Sequence, residues 1–238
     1  MTSPALSRVP SPRLASTPRL PFLLLGLTLA ACLAACGDDE DGQLPKPIAI
    51  ADARGRANGD EVTLQGYVTV PPGAFNSGTG ENGFAIQDST GGIYVQLDQK
   101  LNFGLGTHVR VQGTMDEQNK LRILKSQPSE IEQVQGTQTV TPRTVLTGEV
   151  SEPVEGRLVQ VTGNVTRTFQ DDSPYGYELY INDGSGEVQI YVYLTTGFDR
   201  ATLEALTAGQ RITVVGFAAQ YESQYEVIPR QPSDLTLN

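Results

Sequence analysis

The chain has 238 residues and a mass of 25.6 kDa, with 17 Lys and Arg against 27 Asp and Glu. Its 25 Gly, 15 Pro and 38% apolar content predict a turn-rich β chain in one large or two small domains, and argue against a helical bundle. One His and two Cys argue against a Cys/His zinc cage.

Residues 1–20 carry Arg8, Arg13 and Arg19 and no acid, and residues 21–35 follow as the apolar run PFLLLGLTLAACLAA. A membrane-spanning helix needs roughly 20 apolar residues, so this run is short for a permanent span. A basic start, a short greasy middle and a small-residue end predict a secretory signal over residues 1–35. An uncleaved anchor helix is the alternative. Leu33-Ala34-Ala35-Cys36 resembles the lipobox of bacterial lipoproteins. That resemblance implies cleavage before Cys36, a diacylglycerol thioether on its sulfur and an acyl group such as palmitate on its new amine. It therefore implies a membrane as one partner, since two or more acyl chains hold a protein stably on a bilayer. Cys32 would leave with the signal, so no disulfide is expected in the mature chain. Removing residues 1–35 leaves 14 basic against 27 acidic residues, a net charge of −13. Residues 36–47, with Asp38, Asp39, Glu40 and Asp41, then read as a lipidated cysteine and an acidic linker. Gly37 after the cysteine favours the outer membrane, by resemblance to lipoprotein sorting in two-membraned bacteria.

From Ile48 onward the chain is one unit written twice. Gly59-Asp60-Glu61-Val62-Thr63-Leu64-Gln65-Gly66 aligns without a gap on Gly156-Arg157-Leu158-Val159-Gln160-Val161-Thr162-Gly163. Phe84-Ala85-Ile86-Gln87-Asp88 aligns on Leu179-Tyr180-Ile181-Asn182-Asp183, and Val109–Gly113 on Ile212–Gly216. Each copy closes on Gln-Pro-Ser-acid-apolar, at Gln127–Ile131 and Gln231–Leu235. The expected units are 48–135 and 136–238, and the link near Gly136 and Pro142 fits a fixed or a hinged pair.

Within each copy the period is two, the mark of a strand. Val62, Leu64, Gly66, Val68 and Val70 alternate with Thr63, Gln65, Tyr67 and Thr69. The mid-strand Gly66 and Gly163 predict a corner where the first strand bends. Asp88–Gly92 and Asp183–Gly186 predict hairpin turns between strands two and three. Before strand four, only the second copy holds a helical pattern, in Phe198, Leu203 and Leu206. Five strands with a bent first strand describe an all-β chain of two tandem Greek-key OB-fold barrels. Both copies resemble the OB-type modules of exported bacterial proteins, including modules attached to secreted nucleases. The resemblance spans nearly all of 48–237 and implies a binding surface of unspecified ligand.

Nothing in the sequence forms a catalytic constellation, and the chain is read as no enzyme, with no cofactor and no metal. His108 stands alone at the start of a strand. Asp183–Glu187 superficially resembles a calcium loop, but lacks alternating ligands and a distant bidentate Glu, so it reads as a turn. OB barrels offer the outer face of strands two and three with the adjoining loops. If Leu179, Ile181, Val188, Ile190 and Val192 point inward, then Tyr180, Gln189, Tyr191 and Tyr193 point outward. The one–two loop adds Tyr175 and Tyr177, and the four–five hairpin adds Tyr221 and Tyr225. The first copy offers Tyr67 and Tyr94 with Gln87 and Gln96. These tyrosines are the candidate ligand face, or else they cover a seam between the barrels. The first unit carries 7 basic and 10 acidic residues and the second 6 and 13. Such charge favours a protein or glycan partner over nucleic acid, whose binding rests on Lys and Arg meeting phosphates. A strip of Lys100, Arg110, Lys120, Arg122 and Lys125 keeps single-stranded nucleic acid as the alternative, or else serves to discourage strand-edge pairing.

Overall fold

Alternating apolar residues close the sheet on itself twice. The computed structural model describes residues 45–76 and 82–238. The apolar run, Cys36 and most of the acidic linker lie outside the described residues. In barrel 1, β1 (Glu61–Val70), β2 (Phe84–Gln87), β3 (Gly92–Gln96), β4 (Thr107–Gln118) and β5 (Leu121–Lys125) run in the order β1-β2-β3-β5-β4. The antiparallel pairing of β4 with β1 completes the ring, and β3–β5 is its parallel contact. Then β6 (Ile131–Thr137) adds to the edge of β4, and a two-residue β7 (Arg143–Thr144) leads into the second copy. The unit boundary expected after residue 135 falls inside β6. Barrel 2 repeats the order with β8 (Leu158–Asp172), β9 (Gly176–Asn182), β10 (Glu187–Tyr193), β12 (Gln224–Ile228) and β11 (Arg211–Tyr221), the last pairing back to β8. Its β13 (Leu235–Leu237) is the counterpart of β6. The chain is thus all-β, with two tandem five-stranded OB barrels.

Side-chain parity follows the alternation, with one correction. Val62, Leu64 and Val68 enter the core of barrel 1, but a register shift between Val68 and Val70 turns Val70 outward. The glycine corners have a physical cause. A Cβ on Gly66 would lie 2.8 Å from the Gln87 carbonyl oxygen, and one on Gly163 2.9 Å from the Asn182 carbonyl carbon. Only glycine lets the first strand pass between its two neighbours there.

Each barrel is plugged by the segment before its first strand. In barrel 1 this is a short helix, α1 (Ile50–Arg54), whose Ile50 and Ala53 are fully buried. Five residues are too few to show a helical period in sequence. The turn aspartates hold these plugs. Asp88 Oδ2 accepts from the Ile50 amide at 3.0 Å, and Asp183 Oδ2 from the Thr147 amide at 3.1 Å. Asp183 Oδ1 also accepts from the Thr147 hydroxyl and from the amide and hydroxyl of Ser185. These bonds hold its carboxyl well below the usual carboxylate range. The Ser185 bonds belong to the turn itself, and the Thr147 bonds tie that turn to the plug. The helical pattern of the second copy forms α2 (Arg200–Glu204), with Leu203 and Leu206 in the core and Phe198 packed against it.

The barrels meet in an apolar seam. Val70, Phe75, Ala85, Tyr94 and Ile123 of barrel 1 pack with Phe217, Ala219 and Ile228 of barrel 2. Each large side chain buried this way contributes roughly 1.5–3 kcal/mol, and close ring pairs add about 0.5–1.5 kcal/mol. Backbone and charge finish the joint. Leu158 N–H donates to Gln87 Oε1 at 2.8 Å, and Arg230 Nη1 donates to the Thr69 carbonyl at 2.9 Å. Arg54 pairs with Glu155 at 2.8 Å and with Glu152 at 3.0 Å. At Gly92 the backbones touch, so that a Cβ would sit 2.0 Å from the Gly156 carbonyl oxygen. Gly92→Ala is therefore expected to cost about 3 kcal/mol in urea unfolding, because the obstacle is backbone of the other barrel. Gly104→Ala, with nothing within 4 Å, should stay within about 0.5 kcal/mol of the parent. Equal stability of the two variants would contradict the packed seam.

Candidate functional site

The outer sheet of barrel 2 is built by parity and register. Leu179, Ile181, Val188, Ile190, Val192 and Val227 fill the core, so Glu178, Tyr180, Gln189, Tyr191, Tyr193 and Glu226 stand on the opposite face. Register places Tyr180 opposite Gln189, Gln189 opposite Glu226, and Glu226 opposite Ala219.

The tyrosines expected to share one ligand face do not share one. Tyr94, 6% exposed, and Tyr193 belong to the seam, where Tyr193 stacks on Phe75 with centroids 5.4 Å apart. Tyr191 meets Tyr193 edge-on at 5.0 Å and donates its hydroxyl to Asp172 at 2.7 Å. Burial first, and Asp172 second, push its phenol far up. Tyr180 lies beneath the Arg167 guanidinium, 4.0 Å from its ring centroid, and donates to Glu178 Oε2 at 3.3 Å. Tyr177 and Tyr225 pack against the barrel 2 core, the former 5.0 Å from Phe169. Tyr67 stacks on His108 at 4.4 Å, on barrel 1. Only Tyr175 and Tyr221, at 46% and 58%, are exposed. Rings that extend a flat sheet in sequence are thus divided between seam, core and solvent.

The ligand face of barrel 1 is spent. Ala85 and Tyr94 enter the seam, Gln87 bonds to Leu158, and Gln96 donates to Gln118 at 2.8 Å. His108 uses both ring nitrogens. Nδ1 donates to the Gln135 carbonyl at 3.0 Å, which leaves Nε2 to accept from the Gln65 amide at 3.0 Å. Four of the five basic-strip residues are engaged locally. Lys120 pairs with Glu117, Lys125 with Asp116 and Arg110 with Glu132, while Arg122 donates to Asn58 and to the Arg56 carbonyl.

Sequence reasoning missed Glu226. It sits between the core-facing Tyr225 and Val227, where an outward acid in a strand reads as solvated. It is in fact 7% exposed, as is Gln189, and neither side chain makes a hydrogen bond to a described residue. Burial and the like charge of Glu178 push the Glu226 carboxyl up to about 8. Two buried polar side chains without partners thus stand side by side on β10 and β12, an acceptor-rich site on the outer sheet of barrel 2.

No family model and no curated protein matches this chain. Among solved structures, a murine DNA-binding protein bound with double-stranded DNA aligns at 12% identity and TM-score 0.40, covering 70% of this chain and 90% of that one. An OBody bound to hen egg-white lysozyme aligns at 19% identity and TM-score 0.34, covering 42% of this chain and 98% of that one. A TiaS–tRNA complex aligns at 19% identity and TM-score 0.28 over 32% of this chain, and only 18% of the TiaS chain is covered. Likenesses this distant carry no argument about function.

The position of Glu226 makes stability depend on pH. Its proton is held to about pH 8 in the folded chain, against the ordinary value of 4.5 when unfolded. Across that window the folded state binds more protons, so stability falls as pH rises, by up to about 1.4 kcal/mol per unit. Glu226→Gln removes the titration. Its urea midpoint should exceed that of the parent by a margin that widens from pH 5 to pH 8 and then levels. A margin independent of pH would place the carboxylate in water instead.

Proposed function

We propose that this chain is a non-catalytic adaptor of the bacterial cell envelope, anchored by lipid at Cys36, whose second barrel holds a protein or glycan partner. The observation that carries the reading is the pair Gln189 and Glu226, buried and unpartnered on the outer sheet of barrel 2. Each side chain is 7% exposed and leaves its hydrogen-bonding capacity unused within the described residues, which a ligand with matching donors would fill. The lipobox at Leu33–Cys36 and the acidic linker support export and tethering, with Gly37 favouring the outer membrane. The nucleic-acid reading is weaker on electrostatic grounds. The basic strip is mostly neutralised in place, and barrel 2 carries 6 basic against 13 acidic residues.

Anchoring is tested by expressing the parent and Cys36→Ser with radiolabelled palmitate. The parent should incorporate label and fractionate with outer membranes, and the variant should do neither. A Cys36→Ser chain that still takes up label would remove the lipoprotein reading. Binding is tested with the full-length protein immobilised in detergent. Envelope extract should leave a discrete protein or glycan that Gln189→Leu fails to hold, and mixed oligonucleotides should not bind at low salt. Oligonucleotide binding that weakens steeply with salt would transfer the function to nucleic acid.

A further inference from the structure

The slot on barrel 2 has a definite chemistry. Gln189 and Glu226 are register partners on the parallel strands β10 and β12, and both side chains leave the core on the same side. Tyr180 flanks Gln189 from β9, and Tyr191 is the next outward residue along β10. Among the described residues the fully enclosed unpaired side-chain polar atoms belong to Thr69, Arg122 and Glu155, so the polar ends of Gln189 and Glu226 still reach the surface. No described lysine or arginine pairs with Glu226. Arg167 is committed to Glu187 and to the Tyr180 ring.

We propose that this slot receives a primary ammonium group, the end of a lysine side chain on a protein partner. An ammonium carries three donors and no acceptor. The slot offers the Glu226 carboxylate and the Gln189 carbonyl oxygen, with Glu178 as the neighbouring negative charge. The Tyr191 ring beside it suits the apolar stem of a lysine. No group of three or more His, Cys, Asp or Glu that would hold a metal ion occurs among the described residues. The inference rests on the reading of barrel 2 as a partner-binding module and names the group it recognises.

Binding is coupled to proton release. The titratable groups around Glu226 are Glu178 on β9 and Tyr191 on β10, whose hydroxyl is given to Asp172; β11 contributes only Ala219. Glu226 keeps its proton to about pH 8, and it must lose that proton to face an ammonium as a carboxylate. Affinity should therefore rise about tenfold per pH unit up to roughly pH 8 and level above it.

The probe is Nα-acetyl-lysine methylamide, titrated into the purified full-length protein by calorimetry between pH 6 and pH 9. Saturable binding with that pH profile is expected. The norleucine analogue, which lacks the ammonium, should bind at least about tenfold more weakly. Glu226→Gln, which keeps the volume and removes the titration, should lose both the lysine preference and the pH profile. Equal binding of lysine and norleucine probes, preference for the arginine analogue, or an affinity independent of pH would each overturn the assignment. The two proposals fail separately. A captured partner that the lysine probe does not compete for overturns the ammonium slot and leaves the adaptor standing. Lysine binding without any captured partner does the reverse.

Discussion

Glu155 belongs to barrel 2, its side chain has no exposed surface, and the charge that balances it comes from barrel 1. Arg54 reaches it at 2.8 Å from α1, and the Arg122 amide of β5 donates to the same oxygen at 3.1 Å. Burial raises the Glu155 carboxyl, and Arg54 pulls it back. Such a pair adds little net stability over an apolar replacement, yet removing one partner leaves a buried charge that costs about 3–5 kcal/mol. The pair joins the two barrels in one arrangement. The seam rings and the Gly92–Gly156 contact can form only in that arrangement.

That arrangement breaks the symmetry of a duplicated chain. Barrel 1 gives its β2–β3–β5 face to the seam, while barrel 2 gives Phe217, Ala219 and Ile228 from β11 and β12, with Tyr193 at the end of β10 packed against them. Copies that began with the same surface thus contribute different surfaces to the joint. Barrel 2 alone keeps an outer β9–β10 sheet, and the long β8 lays Arg167 across part of it. Glu226 stands on this sheet next to Ala219 of the seam, with Glu178 as its charged neighbour.

Much of the architecture was legible. Alternation placed Leu179, Ile181, Val188, Ile190 and Val192 in the core, and each is there. The glycine corners and the turn aspartates stood at matched positions in both copies, because local backbone geometry demands those residue types wherever the fold recurs. Val70 was misplaced, since a bulge shifts parity without any mark in composition. The plug helix α1 was missed because one turn and a half shows no period. The tyrosines were the hardest. Period two says that Tyr180, Tyr191 and Tyr193 leave the core, and it cannot say whether water or another barrel meets them.

What the sequence by itself determined is whatever depends on near neighbours: strand against turn, inward against outward, two units of one fold, and an acidic balance. Those follow from side-chain periodicity, glycine sterics and charge, all of which act over a few residues. Tertiary structure alone decided which outward residues are buried. It sent Tyr94 and Tyr193 into the seam and left Gln189 and Glu226 unpaired. The reason is that desolvation depends on atoms brought together from distant parts of the chain, and Arg54 and Glu155 meet across 101 positions.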